Sequence, residues 1–180
     1  MKYVYCPQCG TEFSKDEQKR FEEKQDKISC LNCPFTFYNN PNPSVSAIIR
    51  NANNEYLLTE RGIEPFKGDW DFPGGFINYG ELPEEALYRE LNEELGIKDS
   101  DIEKVKFVGV YNTDYVNEGR EEEKILVLTL VYEVEIKDNT DFKANDDVTE
   151  FKFFNLQQLP KNIAFPEQRK FMSKYFGIDI

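Results

Sequence analysis

Apolar residues recur every four positions between Pro83 and Leu95, where Leu87, Leu91 and Leu95 make one stripe. That period is the core-facing seam of an amphipathic helix, and it predicts a helix from about Pro83 to Leu95. Upstream, Val45–Ile49 and Tyr56–Leu58 are apolar runs on either side of Asn51-Ala52-Asn53-Asn54. Two such runs around an Asn-rich turn predict a β-hairpin. Lys106–Tyr111 and Ile125–Val134 read as further strands, the second long and β-branched. Glu150–Phe154 reads as a short last strand. Phe165-Pro166 opens a closing helix with Phe171, Met172, Tyr175 and Phe176 at helical spacing, as core packing requires. Ser14–Lys27 is almost wholly charged, with Phe21 its only apolar residue, and reads as an exposed loop or a short solvated helix. The polar, turn-rich Asn39-Asn40-Pro41-Asn42-Pro43 is a linker. It divides a small module, residues 1–40, from a domain over 41–180. There is no internal repeat. Strands mixed with two separated helices predict an α+β layered domain.

Composition narrows the function. The 180 residues include 15 Phe and 10 Tyr, enough for a core. Net charge is -12, from 34 acids against 22 bases. Binding to a phosphate backbone wants a basic surface, so nucleic acid is not an expected partner. Residues 1–40 carry six bases and six acids, so the negative charge lies in 41–180. No apolar run approaches the ~20 residues of a membrane span. Met1-Lys2-Tyr3-Val4-Tyr5-Cys6 lacks the long apolar stretch of a signal peptide, and a cytoplasmic protein with no membrane partner is expected. There is no histidine. A general base must then be a carboxylate, Lys, Tyr or Cys, and His-based triads are excluded.

The four cysteines all fall in the first module, as the pairs Cys6/Cys9 and Cys30/Cys33. Two C-x2-C pairs at this separation predict a tetrahedral zinc site. Disulfides are disfavoured in a cytosolic chain. Four thiolates leave no position for water, so the zinc is expected to be structural. A segment of ~40 residues also needs such a staple to fold.

On the predicted helix, Glu90, Glu93 and Glu94 fall within one arc of about 100°. Like charges at i,i+4 repel by roughly 0.2–0.5 kcal/mol per pair, so the cluster asks for a compensating cation. Hard ions such as Mg²⁺ take oxygen ligands of this kind, between carboxylates and substrate phosphates.

These residues resemble the signature of the Nudix hydrolases, G-x5-E-x7-R-E-U-x-E-E-x-G-U with U aliphatic. Gly75, Glu81, Arg89, Glu90, Leu91, Glu93, Glu94, Gly96 and Ile97 fill every defined position. The resemblance implies a mixed β-sheet sandwiched by helices, preceded here by a small zinc ribbon. It implies Mg²⁺- or Mn²⁺-dependent hydrolysis of a nucleoside diphosphate derivative by water attack on phosphorus. Residue by residue, Glu90, Glu93 and Glu94 match the metal ligands, and Gly75, or its neighbour Gly74, lies where a backbone carbonyl often joins them. Arg89 matches the residue that orients the glutamates, and Glu81 a partner for it. Glu150 stands in the late region that supplies the general base in some members. Its other reading is an exposed acid before a strand. Arg61 and Lys67, before the glycine turn, are candidates for a phosphate, and Trp70 for a base. Each has a plain structural reading too, as surface cation or core aromatic.

A zinc ribbon before a Nudix domain resembles the NADH pyrophosphatases. Their S-Q-P-W-P-F-P-x-S motif is absent, because the chain continues Lys98-Asp99-Ser100-Asp101. The expected partner is a small-molecule nucleotide with an internal diphosphate, such as ADP-ribose, FAD or a dinucleotide. A homodimer is left open. The rival class is a non-catalytic nucleotide-sensing module with a partner-docking ribbon.

Overall fold

The computed structural model describes residues 3–116 and 124–180. Met1 and Lys2, part of the N-terminal stretch considered above, lie outside the described residues. The chain divides into two compact units, Met1–Pro41 and Asn42–Ile180.

In the first unit, the charged stretch forms a helix, α1 (Lys15–Lys24), rather than a loop. Ser14 caps it by accepting from the Glu17 N–H. Phe21 is the one buried residue of α1 and joins Cys6, Phe13 and Ile28 in a small core. One large aromatic anchor is enough to hold a helix whose other faces are solvated. A short antiparallel pair, β1 (Lys27–Ser29) and β2 (Thr36–Tyr38), brackets the second cysteine pair.

The second unit holds β3 (Asn42–Ile49), β4 (Tyr56–Arg61), β5 (Trp70–Asp71), α2 (Pro83–Leu95), β6 (Ile102–Val116), β7 (Lys124–Ile136), β8 (Val148–Phe154) and α3 (Pro166–Phe176). The strands form two three-stranded sheets, β3-β7-β6 and β5-β4-β8. The first is mixed, with β3 parallel and β6 antiparallel to β7.

The expected hairpin between Val45–Ile49 and Tyr56–Leu58 does not form. Its turn is present, with Asn51 Oδ1 accepting from the N–H groups of Asn53 and Glu55. An isolated bridge joins Arg50 to Tyr56, and then the strands part into different sheets. The reason is burial. Every residue from Ser44 to Ile49 is buried, so β3 is covered on both faces, as a strand with a parallel neighbour usually is. Val45, Ala47 and Ile49 pack with α2, while Ile48 packs with Val131 and with Met172 of α3.

Helix α2 keeps the limits read from its period. Pro83 starts it and Gly96, at φ 69°, ends it. Leu87, Leu91 and Leu95 are fully buried. Each such leucine contributes roughly 1.5–3 kcal/mol, which fixes the rotation of the helix and so the direction of its glutamate face. Among the described residues no helix is long and apolar enough to cross a membrane.

Candidate active site

The segment Phe72–Ile77 runs beside β3. Ala47 and Val45 N–H groups donate to the carbonyls of Pro73 and Gly75, and Ile77 N–H to that of Pro43. The contact requires glycine at Gly74, whose φ is +145°. A Cβ there would lie 2.1 Å from the Val45 carbonyl oxygen. At Gly75 a Cβ would lie 2.5 Å from Glu90 Oε1. The Gly74 N–H donates to Glu94 Oε2 at 2.9 Å. The glycine turn and the carboxylates of α2 are therefore fitted to each other. The Gly75 carbonyl keeps a lone pair after accepting from Val45.

Arg89 organises the glutamates. Nε and Nη2 make a fork on Glu81 at 2.8 and 2.9 Å. Nη1 donates to Glu90 Oε1 at 2.6 Å and to Glu93 Oε2 at 2.9 Å. Nη2 also donates to the Phe76 carbonyl at 2.9 Å. All five guanidinium N–H groups are thereby used. Arg89, with the Asn78 N–H, holds the Glu81 carboxyl down at about 2. Glu81 thus stays ionised and holds the arginine in place.

Glu94 is buried, 8 % exposed. Burial pushes its carboxyl well above the ordinary range; the Gly74 N–H opposes this, and the charges of Glu90, Asp71 and Asp147 add to it. Burial also raises Glu90, against the pull of Arg89.

A cleft opens beside this helix end. It has about 770 Å³ of empty space, part of it open to solvent, and its lining includes Gly74, Gly75, Glu94, Arg61, Asp71 and Asp147.

The weaker sequence candidates separate here. Arg61 lines the cleft, but its Nη1 pairs with Asp71 at 3.0 Å and its Nε donates to the Pro65 carbonyl at 2.8 Å. Lys67 is exposed and is not part of the lining. Trp70 meets Phe154 edge-to-face at 4.8 Å in the core around Ile48, Leu58 and Met172, away from the cleft lining. Glu150 is exposed on β8, opposite Glu60, and does not line the cleft either.

Asp71 and Asp147 are the acids that sequence reasoning missed. Burial raises Asp71, and partial desolvation and Asp146 raise Asp147, whose surface is otherwise exposed; Arg61 opposes the rise in each. The Gly62 N–H donates to the Asp147 carbonyl at 2.6 Å, and a Cβ at Gly62 would lie 2.9 Å from that oxygen. Asp71 directly precedes the Phe72–Gly75 turn, and Asp147 stands in the acidic loop that contains Glu150. Position beside the signature was the available signal for one, and Asp146-Asp147 as a pair for the other.

In the first unit, Cys6 and Cys33 Sγ atoms are 3.7 Å apart, as are those of Cys9 and Cys30. All four lie within 4.8 Å of one another. A tetrahedron with Zn–S bonds of about 2.3 Å has edges of about 3.8 Å, so the four thiols fit zinc. Among the described residues they are the one tight group of this kind. The glutamates of α2 are less closely gathered, but a buried acidic surplus of hard oxygen donors is what a divalent Mg²⁺ or Mn²⁺ offsets.

Comparison with known proteins agrees with this geometry. The family model described as "NUDIX domain" matches residues 40–175. The chain belongs to the Nudix family. An ADP-ribose pyrophosphatase of Methanocaldococcus jannaschii is 36% identical to this Nudix protein over 75 residues, 42% of this chain and 41% of that one. An 8-oxo-dGTP diphosphatase of Escherichia coli is 51% identical over 41 residues, 22% of this chain and 32% of that one. The chain thus spans less than half the length of these relatives. Among solved structures, a Nudix hydrolase from Nitrosomonas europaea has a TM-score of 0.61 at 24% identity, covering 99% of this chain and 95% of that one. The Nudix domain of Shewanella oneidensis NrtR, complexed with ADP ribose, has a TM-score of 0.58 at 18% identity, covering 78% and 90%. These two likenesses are of fold.

Proposed function

We propose that this Nudix protein is a divalent-metal-dependent pyrophosphohydrolase that splits the internal diphosphate of a nucleoside diphosphate derivative. The observation that carries the reading is the Arg89 clamp, which ties Glu93 to Glu90, itself packed against Gly75, while Glu94 lines the adjoining cleft. Glu90, Glu93 and Glu94, with the Gly75 carbonyl, would hold Mg²⁺ or Mn²⁺. The ion would polarise a phosphoryl oxygen and supply a water of lowered pKa. Arg89 keeps two of the ligands in place, and Glu81 keeps Arg89 in place. Water attacks one phosphorus, the bridging P–O bond breaks, and two monophosphates leave. Cys6, Cys9, Cys30 and Cys33 hold one structural zinc.

Asp147 fits the general base better than Glu150, because it lines the cleft with Glu94. A positioned base contributes typically 10²–10⁴-fold. Asp147→Asn is expected to lower kcat by about 10²-fold or more, and Glu150→Gln to leave it within about twofold. The reverse order in steady-state kinetics would return the role to Glu150.

The expected substrate carries organic groups on both sides of the diphosphate, as ADP-ribose, FAD and dinucleotides do. The M. jannaschii relative bears the name of an ADP-ribose pyrophosphatase, which supports this class. A negative surface also gains little from the extra charge of a triphosphate. Measuring kcat/KM with Mg²⁺ across ADP-ribose, NADH, FAD, diadenosine polyphosphates and nucleoside triphosphates decides the matter. Two monophosphate products from a two-headed substrate are expected. A clear preference for a triphosphate, releasing pyrophosphate, would overturn the substrate class while leaving hydrolysis standing. No turnover with any of them would favour the sensing module.

A further inference from the structure

We propose that the outer face of α3 carries a second binding site, separate from the cleft, for a single phosphate-type anion: a free phosphate or the phosphate end of an ester.

The first ground is a local reversal of charge. The chain as a whole is at -12, yet Lys161, Arg169, Lys170 and Lys174 line two adjoining grooves in the second unit. The grooves share Arg169, Asp179 and Ile180, and among the described residues Asp179 is the one acid in either lining. Four cations thus face one carboxylate. Among the described residues none of the four makes an ion pair. None of them lines the cleft.

The second ground is that α3 carries these charges at a cost. Its core side is fixed by Met172, which is fully buried, and by Phe171, Tyr175 and Phe176, which pack around it. Arg169, Lys170, Ser173 and Lys174 then share the opposite arc, about 140° wide. Lys170 and Lys174 are i,i+4 neighbours of like charge and repel. Arg169 stands in the first turn, where the helix dipole disfavours a cation; only Lys174, in the last turn, is favoured by it. A bound anion offsets both effects.

Arg169 supplies the third ground. Its Nη2 donates to the Ile163 carbonyl at 3.1 Å, which anchors the guanidinium between the grooves. Its Nε is buried and has no acceptor among the described residues. A donor of this kind left unmade is costly, and more so on a charged group. The guanidinium fork matches two phosphate oxygens at once. Beside it, Ser173 Oγ accepts from the Ile180 N–H at 3.3 Å and keeps its own O–H to donate. The helical bases span only about one and a half turns, room for one phosphate, whereas a nucleic-acid backbone wants a basic stripe. Leu156, Leu159 and Pro160 line the groove beside Lys161 and offer an apolar rest to the organic part of an ester.

The test is titration calorimetry on the purified full chain, in a chloride buffer with neither added divalent ion nor chelator, using inorganic phosphate and AMP as probes. Phosphate is expected to bind with a Kd of about 1 mM or below. Its affinity is expected to fall at least about threefold between roughly 50 and 300 mM NaCl. AMP binding at least about tenfold more tightly than phosphate would mark an ester as the ligand, and equal affinity a free phosphate; either supports the site. Arg169→Met is expected to weaken phosphate at least about tenfold, because the fork is lost. Lys170→Met, at an exposed position, is expected to weaken it about threefold, and gives an answer if the Arg169 variant folds poorly. The proposal is overturned if phosphate gives no binding heat up to about 10 mM. It is overturned too if both variants bind phosphate as the parent does. Much tighter binding of a single-stranded RNA of about ten nucleotides, weakened in both variants, would make the groove a nucleic-acid contact and overturn the single-phosphate site. None of these readouts needs turnover, so a failure here is separable from a failure of the activity assay.

Discussion

Glu94→Gln is expected to remove turnover while the fold stands. Glu94 is buried on α2, and its Oε2 accepts from the Gly74 N–H at 2.9 Å. A glutamine amide oxygen can accept the same bond. The charge is what disappears. In the folded protein, burial first, and then the neighbouring Glu90, Asp71 and Asp147, raise this carboxyl above the 4.5 of an isolated glutamate. A carboxyl raised by folding contributes a stability that is full below pH 4.5 and is lost as pH rises through the folded value. Above that value the buried carboxyl is a cost to the metal-free fold, and the glutamine relieves it. The melting temperature in EDTA is expected to hold or rise. The same charge is needed where a metal offsets the negative charge that develops on the phosphoryl oxygens. Loss of one such electrostatic partner typically lowers kcat by about 10²–10³-fold. Glu93→Gln is expected to act in the same direction. Full turnover in both variants, measured at saturating Mg²⁺, would sink the metal-site assignment.

The second large effect belongs to the first unit. Among the described residues its buried core is Cys6, Phe13, Phe21 and Ile28, too little to fold a segment of this size by itself. Structural zinc in peptides of this scale contributes an apparent ~10–16 kcal/mol at neutral pH. Purified protein is expected to carry about one zinc per chain. Cys30→Ser removes one of the four thiolates, so the variant should lose the ion and the order of the unit Met1–Pro41 with it. The second unit has its own cores around Leu91 and Met172, and α2 should stay protected in hydrogen exchange. Metal analysis and exchange mass spectrometry of the two proteins show this directly. Parent protein without zinc, with four thiols open to alkylation under native conditions, would end the ribbon assignment.

The sequence by itself determined the features that depend on near neighbours. Helix α2 was legible to its last residue, because a four-residue leucine period, a proline start and a glycine stop are all local. The Arg89–Glu81 pair was anticipated from the signature match, since both residues lie in the one short run that carries it. The two cysteine pairs were legible because a metal knuckle is set by spacing within a few residues. Pairing between distant strands was not. Val45–Ile49 and Tyr56–Leu58 carry a good turn between them, yet β3 pairs with β7 and β4 with β5 and β8. The choice was made by covering β3 on both faces, and no local pattern records which distant strand does that. The same long-range pairings decided the cleft. They brought Asp147 beside Gly62, matched Arg61 with Asp71, and drew Trp70 into the core. A side chain's type says what chemistry it can do; whether its charge is free or already matched depends on which strand packs against it, and only the tertiary fold sets that.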